Sequence, residues 1–262
     1  MPMDLSPSDL AKKAAADAAV AFVQDGMRLG LGTGSTAAFM VKRLGQRVRE
    51  EGLRVVGVPT SSRTADLARA EGIRVVTLDQ AGWLDITIDG ADEFDPDLTL
   101  IKGGGGAHLQ EKVVAAASDR MIVITDPGKR VARLGAFPLP VEALHFGLAS
   151  TIRHIGAALT DLGYGDTRIT RRMAGERPFV SDEGNAILDL HMGTISDASV
   201  LSRGLNQIPG VVENGLFINM SDLVVIGHTD GRAELIEAEP GLAELMRDVR
   251  PREDNPFADI VG

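Results

Sequence analysis

The chain has 262 residues, 44% hydrophobic and 24% charged, which is typical of a globular protein with a full core. Its net charge of −10 argues against nucleic acids and anionic membranes as partners. The lack of cysteine excludes disulfides, thiolate metal sites and a cysteine nucleophile. Since no apolar run reaches the ~18 residues needed to span a bilayer, and residues 1–10 are too polar for a signal peptide, we expect a cytoplasmic protein.

Short apolar runs alternate with helical patterns through the first half of the chain. Ser6 and Pro7 predict the start of a helix whose apolar face carries Leu10, Ala14, Ala18 and Phe22. Strands are predicted at 27–31, 54–58, 73–78, 84–88, 98–101 and 121–125, with helices at 37–44, after 60–62 and at 110–117. This alternation predicts an α/β fold with a mostly parallel, Rossmann-like sheet flanked by helices on both faces.

The pattern changes after residues 137–140, where two prolines interrupt the chain. A strand, a helix at 149–162, a second strand, a hairpin around 182–185 and a helix from near Ser196 predict a smaller inserted α+β domain. The apolar runs at 215–218 and 223–226 are expected to rejoin the main sheet. We therefore predict a catalytic domain of residues 1–135 plus 208–236, an inserted domain of 136–207, and a C-terminal extension of 237–262 with a helix at 242–249.

A glycine-rich turn, Gly-Leu-Gly-Thr-Gly-Ser-Thr at 30–36, follows the first predicted strand and leads into a helix. Backbone N–H groups, the helix dipole and the hydroxyls of Ser35 and Thr36 would suit a phosphate monoester. The segment has neither the Walker sequence nor the spacing of a dinucleotide fingerprint. The alternative is a tight strand-to-helix turn with a Ser/Thr cap.

Two carboxylates, Asp89 and Asp92, follow the predicted strand at 84–88. Neighbouring carboxylates can have pKa values that are pushed apart, so that one donates a proton while the other stays ionised. Two other readings remain open at this point. With Asp95 and Asp97 the group could bind a divalent metal ion, although the EF-hand spacing is missing, or all four could be solvated turn residues.

Lys102 stands at the end of an apolar run, directly before four glycines, and Glu111 falls in the first turn of the next predicted helix. Only six lysines occur beside 21 arginines, and the compact ammonium of a lysine suits a single developing oxyanion. A carboxylate in a first helical turn is favoured in its ionised form, as a general base requires. Surface charge for the lysine and helix capping for the glutamate are the alternatives.

The five histidines, at 108, 145, 154, 191 and 228, have no spacing typical of metal ligands. His108 alone falls within the motif region, and we expect a loop or packing role for it. The sequence has no Gly-x-Ser-x-Gly elbow, the motif that would suggest acyl transfer.

Several segments together resemble one family. Asp-Gly-Ala-Asp-Glu-Phe at 89–94 and Leu-Ile-Lys-Gly-Gly-Gly-Gly-Ala-His-Leu-Gln-Glu-Lys at 100–112 closely resemble ribose-5-phosphate isomerase type A. The turn at 32–36 and the segments at 137–142, 182–185 and 208–212 are similar to the same family in the same order. The resemblance covers roughly residues 8 to 230. His108 stands where we expect a small residue, and for the tail after residue 236 we know no counterpart.

The resemblance implies interconversion of D-ribose 5-phosphate and D-ribulose 5-phosphate in the pentose phosphate pathway, by a homodimer or homotetramer, without a metal or organic cofactor. It implies that Glu111 carries a proton between C2 and C1 through a cis-enediolate. Lys102 and N–H groups of Gly103, Gly104 and Gly105 would stabilise the oxyanion. Asp89 and Asp92 would bind sugar hydroxyls, with Asp89 also assisting ring opening. The residues implied to hold the substrate, chiefly its phosphate, are Lys12, Thr33, Gly34, Ser35, Thr36 and Lys129.

Two alternatives remain at the level of the sequence. A related sugar-phosphate enzyme, such as a lactonase or an aminosugar-phosphate deaminase, would keep a phosphate turn but would need other acid and base groups than Lys102 and Glu111. A non-catalytic sugar-phosphate sensor would carry an output module, and we find no basic recognition helix.

Overall fold

The computed structural model describes residues 5–238, and these form two compact units. The first unit comprises the chain up to Gly90, Val113–Pro127 and the chain from Asn219 onward. The second comprises Ala91–Lys112 and Gly128–Ile218. The predicted helix at 242–249, and the predicted extension beyond residue 238, lie outside the described residues.

The elements are numbered in chain order across both units. The helices are α1 Pro7–Val20, α2 Ser35–Glu51, α3 Ser62–Ala70, α4 Leu78–Ala81, α5 His108–Ala116, α6 Leu148–Asp161 and α7 Ala198–Asn206. The strands of the first half are β1 Arg28–Leu31, β2 Val56–Pro59, β3 Arg74–Val75, β4 Ile86–Gly90, β5 Glu93–Phe94, β6 Leu100–Ile101 and β7 Met121–Thr125. Those of the second half are β8 Leu139–Ala143, β9 Arg168–Arg171, β10 Met173–Ala174, β11 Arg177–Pro178, β12 Ala186–His191, β13 Val211–Asn214, β14 Leu216–Phe217, β15 Leu223–Gly227 and β16 Ala233–Glu237.

The first unit is built on a seven-stranded sheet with the order β16-β15-β7-β4-β1-β2-β3. All neighbouring strands are parallel except β15 and β16. Leu29 and Leu31 of β1 point into a core shared with α1 and α2. Gly30 of the same strand faces the opposite side of the sheet, where a Cβ on it would lie 2.7 Å from the side chain of Val114 in α5. Helices therefore cover both faces, and the predicted α/β fold is confirmed.

Helix α1 begins as predicted, with Ser6 as its cap and Pro7 as its first residue, but a different face is buried. Leu10 is 39% exposed, whereas the buried small residues are Ala11, Ala15, Ala16 and Ala19. The reason is a close approach to β15, because a Cβ on Gly227 would lie 1.9 Å from the carbonyl oxygen of Ala11. Only a row of alanines lets the helix backbone come so near to a strand.

The second unit contains an antiparallel four-stranded sheet of order β13-β8-β12-β9, a three-stranded sheet of order β14-β6-β5 and the hairpin β10-β11. Helices α6 and α7 pack on the four-stranded sheet through a core that includes Val141, Ile155, Leu188 and Leu201. Strand β15 joins the seven-stranded sheet, as predicted for 223–226. The same expectation for 215–218 is wrong, because Leu216 pairs with Ile101 of β6 in the second unit.

This pairing also explains where the division into units departs from the predicted domains. The prediction ended the first part of the catalytic domain at residue 135 and resumed it at 208. In the structure, β5, β6 and β14 pair with one another, so residues 91–112 and 208–218 belong to the second unit. No composition change marks residue 91, where the chain passes directly from β4 towards β5.

The chain's single tryptophan and single tyrosine lie in different units. Trp83, in the first unit, donates its indole N–H to Asp119 Oδ1 at 2.6 Å. The hydroxyl oxygen of Tyr164, in the second, lies 2.7 Å from that of Ser196. Within residues 5–238, none of the helices combines the length and apolar character that crossing a membrane requires.

Candidate active site

In the first unit, the turn after β1 packs directly against Asp89 of β4. The carboxylate oxygen Oδ1 accepts from the backbone N–H groups of Thr33, at 3.0 Å, and Gly90, at 2.7 Å. A Cβ on Gly32 would lie 2.0 Å from the same oxygen, so only glycine fits there. Because β1 and β4 are parallel neighbours, their carboxyl ends bring the glycine turn and the buried carboxylate together.

The hydroxyl of Thr33 is part of a polar cluster that the sequence did not predict. Its Oγ1 lies 2.8 Å from Thr60 Oγ1, 2.8 Å from Ser61 Oγ and 3.2 Å from Thr64 Oγ1. Thr64 in turn donates to the carbonyl oxygen of Gly32 at 3.1 Å. The cluster fixes the glycine turn to the segment after β2, and the only sequence signal for it was the Thr-Ser-Ser run at 60–62.

The start of α2 has no side-chain cap. Its N-cap, Gly34, has φ +113°, which favours glycine, and it has no side chain to cap the helix. The N–H groups of the first turn are therefore left to other acceptors. Ser35 is exposed and Thr36 is half-buried, so both hydroxyls lie near the surface.

In the second unit, the glycines after β6 form a turn in which Gly106 N donates to Gly103 O at 2.9 Å. Gly103 and Gly106 have φ angles of +104° and +75°. The N–H of Gly104 donates to Asp92 Oδ2 at 2.7 Å. A Cβ on Gly104 would lie 2.6 Å from the other oxygen of that carboxylate, so the loop packs against Asp92 only if residue 104 is glycine.

Lys102 and Glu111 form a buried ion pair. Lys102 Nζ lies 3.2 Å from Glu111 Oε2, and their side chains are only 2% and 4% exposed. Lys102 is fixed by its backbone N–H, which donates to Gly215 O at 2.9 Å, and Glu111 by the first turn of α5. Removing either partner would take this close counter-charge away from a buried charge, which is costly. The structure thus joins the two residues that the sequence marked as oxyanion stabiliser and base.

Phe217 of β14 is a neighbour of this pair that the sequence did not reveal. The ring centroid lies 5.3 Å from Lys102 Nζ and 5.0 Å from Lys112 Nζ, within reach of cation–π attraction. Lys112 also donates to Glu213 Oε1 at 2.9 Å and to the carbonyl oxygen of Asn214 at 2.7 Å. Burial lowers the pKa of Lys112, although Glu213 opposes this shift.

His108 is fully buried at the start of α5, in contact with the glycine loop. Its Nε2 lies 3.4 Å from the carbonyl oxygen of Glu213, and a Cβ on Gly103 would approach its Nδ1 to 2.8 Å. Burial, with a smaller contribution from the charge of Lys112, lowers the pKa of His108 to about 3. The imidazole is therefore neutral near neutral pH.

The carboxylate of Asp95 is used within its own turn. Its Oδ1 accepts from the N–H groups of Asp97, at 3.1 Å, and Thr99, at 2.9 Å. Desolvation raises the pKa of Asp95. In the described part of the chain, no three or more His, Asp or Glu residues are arranged to hold a metal ion.

The predicted site residues thus fall into two sets of contacts. In the first unit Asp89 meets the turn at 32–34, and in the second Asp92 meets the glycine loop while Lys102 meets Glu111. Lys12 and Lys129 take part in none of these bonds. Lys12 lies 3.6 Å from Asp9 on α1, and Lys129 ends a 3-10 turn, Pro127–Lys129, in a half-buried position.

Comparison with known proteins gives similarity over nearly the whole chain. The family model described as ribose 5-phosphate isomerase A (phosphoriboisomerase A) matches residues 56–231. The ribose-5-phosphate isomerase A of Cereibacter sphaeroides is 60% identical over 260 residues, covering 99% of this chain and 99% of that protein. Since the match covers 99% of this chain, nearly all of the tail at 237–262, for which the sequence alone suggested no known counterpart, aligns with this relative.

Solved structures show the same similarity. The ribose 5-phosphate isomerase A of Methanocaldococcus jannaschii matches with a TM-score of 0.80 and 42% identity, covering 88% of this chain and 100% of that one. A D-ribose-5-phosphate isomerase in complex with phospho-erythronic acid matches with a TM-score of 0.80 and 34% identity, covering 89% of this chain and 100% of that one.

Proposed function

We propose a mechanism from one premise: the chain belongs to the ribose 5-phosphate isomerase A family. It is an aldose–ketose isomerase that interconverts D-ribose 5-phosphate and D-ribulose 5-phosphate. The observation that carries the mechanism is the buried pair of Lys102 and Glu111, 3.2 Å apart beside the glycine loop.

Glu111 is the base that moves the proton bound to carbon. Its carboxylate removes the proton from C2 of the open-chain aldose, and the electron pair of the C–H bond forms the C1–C2 double bond of a cis-enediolate. The negative charge develops on O1. Glu111 then returns the proton to C1, while the proton of the C2 hydroxyl passes to O1, so that C1 ends as CH2OH and C2 as the carbonyl of the ketone. The ammonium of Lys102, 3.2 Å from the carboxylate, supports this role, because a neighbouring cation favours the charged form of an acid.

Lys102 and the N–H groups of Gly103 and Gly105 stabilise the oxygen that becomes negative, since the N–H of Gly104, the third glycine implied for this role, donates to Asp92. A sugar C–H is far less acidic than a carboxylic acid, so the base alone cannot drive the transfer. Losing one donor of this kind typically costs about 2.7–4 kcal/mol in the transition state. The phospho-erythronic acid bound by the related isomerase supports this view, because its carboxylate holds two oxygens in one plane, as an enediolate does.

The remaining polar residues hold the substrate. Asp89 and Asp92 bind sugar hydroxyls, and Asp89 assists ring opening and proton exchange on oxygen. Ser35, Thr36 and the open first turn of α2 receive the phosphate, together with Lys12 and Lys129, while Thr33 and Gly34 shape the turn. Binding energy from the phosphate then orients the reacting carbons.

We further propose that the enzyme acts in the cytoplasm, in the pentose phosphate pathway, as a homodimer or homotetramer, and that the reaction needs no metal ion or organic cofactor. The lack of cysteine supports the compartment. The use of the Asp95 carboxylate within its own turn supports metal independence, because it occupies an oxygen of the acidic cluster at 89–97 that the sequence offered as a metal site.

The decisive test measures ribulose 5-phosphate formation by the wild type and by Glu111→Gln. We expect the variant to be at least about 100-fold slower, the scale for loss of a general base. Glu50→Gln, at an exposed position on α2, is the matched control and should match the wild type. Turnover of Glu111→Gln at the wild-type rate would refute the assigned base, and loss of wild-type activity with a chelator would refute metal independence.

A further inference from the structure

A guanidinium in the second unit binds the glycine loop through its carbonyl oxygens. Arg172, directly after β9, donates from Nη1 to Gly103 O at 2.5 Å and to Gly104 O at 3.1 Å. Its Nε donates to Asp189 Oδ2 at 3.0 Å, and its Nη2 donates to the other oxygen of the same carboxylate. The two side chains are only 14% and 16% exposed. The bidentate pair therefore fixes the guanidinium in one orientation, facing the loop.

The geometry of the peptide bond carries this constraint to the N–H groups. In a trans peptide the C=O of one residue and the N–H of the next point in opposite directions. Holding Gly103 O on Arg172 turns the N–H of Gly104 the other way, where it meets Asp92 Oδ2 at 2.7 Å. Holding Gly104 O in the same way turns the N–H of Gly105, an exposed residue, away from Arg172.

The backbone around Arg172 is itself well anchored. Its N–H donates to Ile187 O of β12 at 2.8 Å, and its C=O accepts from the N–H of Phe179 at 2.9 Å. The Phe179 ring packs on the loop so closely that a Cβ on Gly106 would lie 2.4 Å from it. One end of the glycine turn is therefore packed against the same segment that supplies the guanidinium.

We propose that Arg172, held by Asp189, is a positioning residue for the isomerase reaction: it orients and polarises the peptide groups of the glycine loop so that the N–H of Gly105 faces the enediolate oxyanion. The inference rests on the proposed function, in which these N–H groups stabilise that charge. A cation on a peptide C=O makes the N–H of the same peptide group a stronger donor. Since a shift of 1 Å can cost about 100-fold in rate, orientation of the loop matters as much as its presence.

The test uses variants that avoid a buried, unpaired charge. Arg172→Met combined with Asp189→Leu removes both charges at similar side-chain volume. Arg172→Lys keeps the positive charge but loses the planar guanidinium, which donates to the carboxylate and to the loop at the same time. We expect kcat of the double variant to fall about 10- to 100-fold, with KM changed less than about 3-fold. Affinity for phospho-erythronic acid should fall in step with kcat, while inhibition by inorganic phosphate should be unchanged. Arg172→Lys should lie between the double variant and the wild type.

Arg171→Gln is the matched control, because it removes the neighbouring guanidinium, whose Nη2 lies near His145 and not on the loop. Wild-type kcat in the double variant would overturn the inference, and so would equal weakening of phosphate and phospho-erythronic acid binding. If the double variant fails to fold, the same measurements of kcat and of phosphate and phospho-erythronic acid binding are made on Arg172→Lys, and a wild-type kcat there would overturn the inference. Failure of the proposed function is distinguishable, since it would show as an active Glu111→Gln in the same assay.

Discussion

At the scale of single residues, His108 shows how burial can set a charge state. The imidazole is enclosed at the start of α5, beside Lys112 and Arg172, and both of these cations oppose its protonation. Its pKa falls from 6.5 to about 3. Between these values the unfolded chain binds a proton that the folded chain does not, so the free energy of unfolding decreases as the pH falls.

Replacing His108 by asparagine should therefore make stability less sensitive to acid. In the wild type this one group contributes a slope of up to about 1.4 kcal/mol per pH unit below pH 6.5. Urea unfolding from about pH 6 to about pH 4 should give a shallower slope for the variant, whatever its stability at neutral pH. His154→Asn, at an exposed position on α6, is the control, and equal slopes for His108→Asn and the wild type would contradict the prediction.

The sequence predicted one pair of neighbouring residues that the structure brings into contact. Lys102 and Glu111 stand nine positions apart around a glycine run, and the structure joins them in one ion pair. Arg172 and Phe217 could not be identified in this way. They reach the loop and Lys102 through strand pairings between distant segments, and an isolated Arg or Phe in a sequence carries no sign of such a partner.

At the scale of elements, the hydrophobic pattern predicted a fully buried strand, but it did not predict the features that depend on a packing partner. The run at 121–125 was predicted with its exact bounds, since a fully buried parallel strand is a continuous apolar run. The two-residue strands β5, β10 and β11 were not predicted, because so short a pairing depends on the partner strand. The buried face of α1 was misjudged by one position, because its contact with Gly227 favours alanine over leucine.

The contact between α1 and β15 predicts opposite effects for two glycine substitutions. Gly227→Ala would place a Cβ 1.9 Å from the backbone oxygen of Ala11, so the helix must shift. We expect a loss of about 1–3 kcal/mol, the usual range for overpacking. Gly156→Ala, within α6 and with no atom within 4 Å of the added Cβ, should stabilise by about 0.5–1 kcal/mol. Chemical denaturation of both variants tests this, and an unchanged Gly227→Ala would contradict the close approach.

At the scale of the whole molecule, alternating strands and helices predicted the fold class, but the division into units depends on pairings far apart in sequence. Residues 91–112 follow β4 without a linker, and they belong to the second unit through distant contacts such as the pairing of β6 with β14, which are more than a hundred residues apart. Neither unit is a continuous stretch of chain. Each nevertheless has a core of its own.

This organisation predicts a graded pattern of amide hydrogen exchange. Strand β7 is fully buried and lies between β15 and β4, so its amides should exchange slowest. The largely exposed edge strand β16 and the exposed hairpin β10-β11 should exchange fastest among the strands. Mass spectrometry of peptides from native exchange measures this order. Protection of β16 equal to that of β7 would contradict it.

The positions of Trp83 and Tyr164 give each unit its own optical reporter. The indole bonded to Asp119 belongs to the first unit and the phenol beside Ser196 to the second. Selective excitation of tryptophan follows the first unit, and tyrosine absorbance follows the second in a Trp83→Phe variant, where no indole absorption overlaps it. Two melting curves that coincide would show that the units unfold together, and two that separate would give a stability for each.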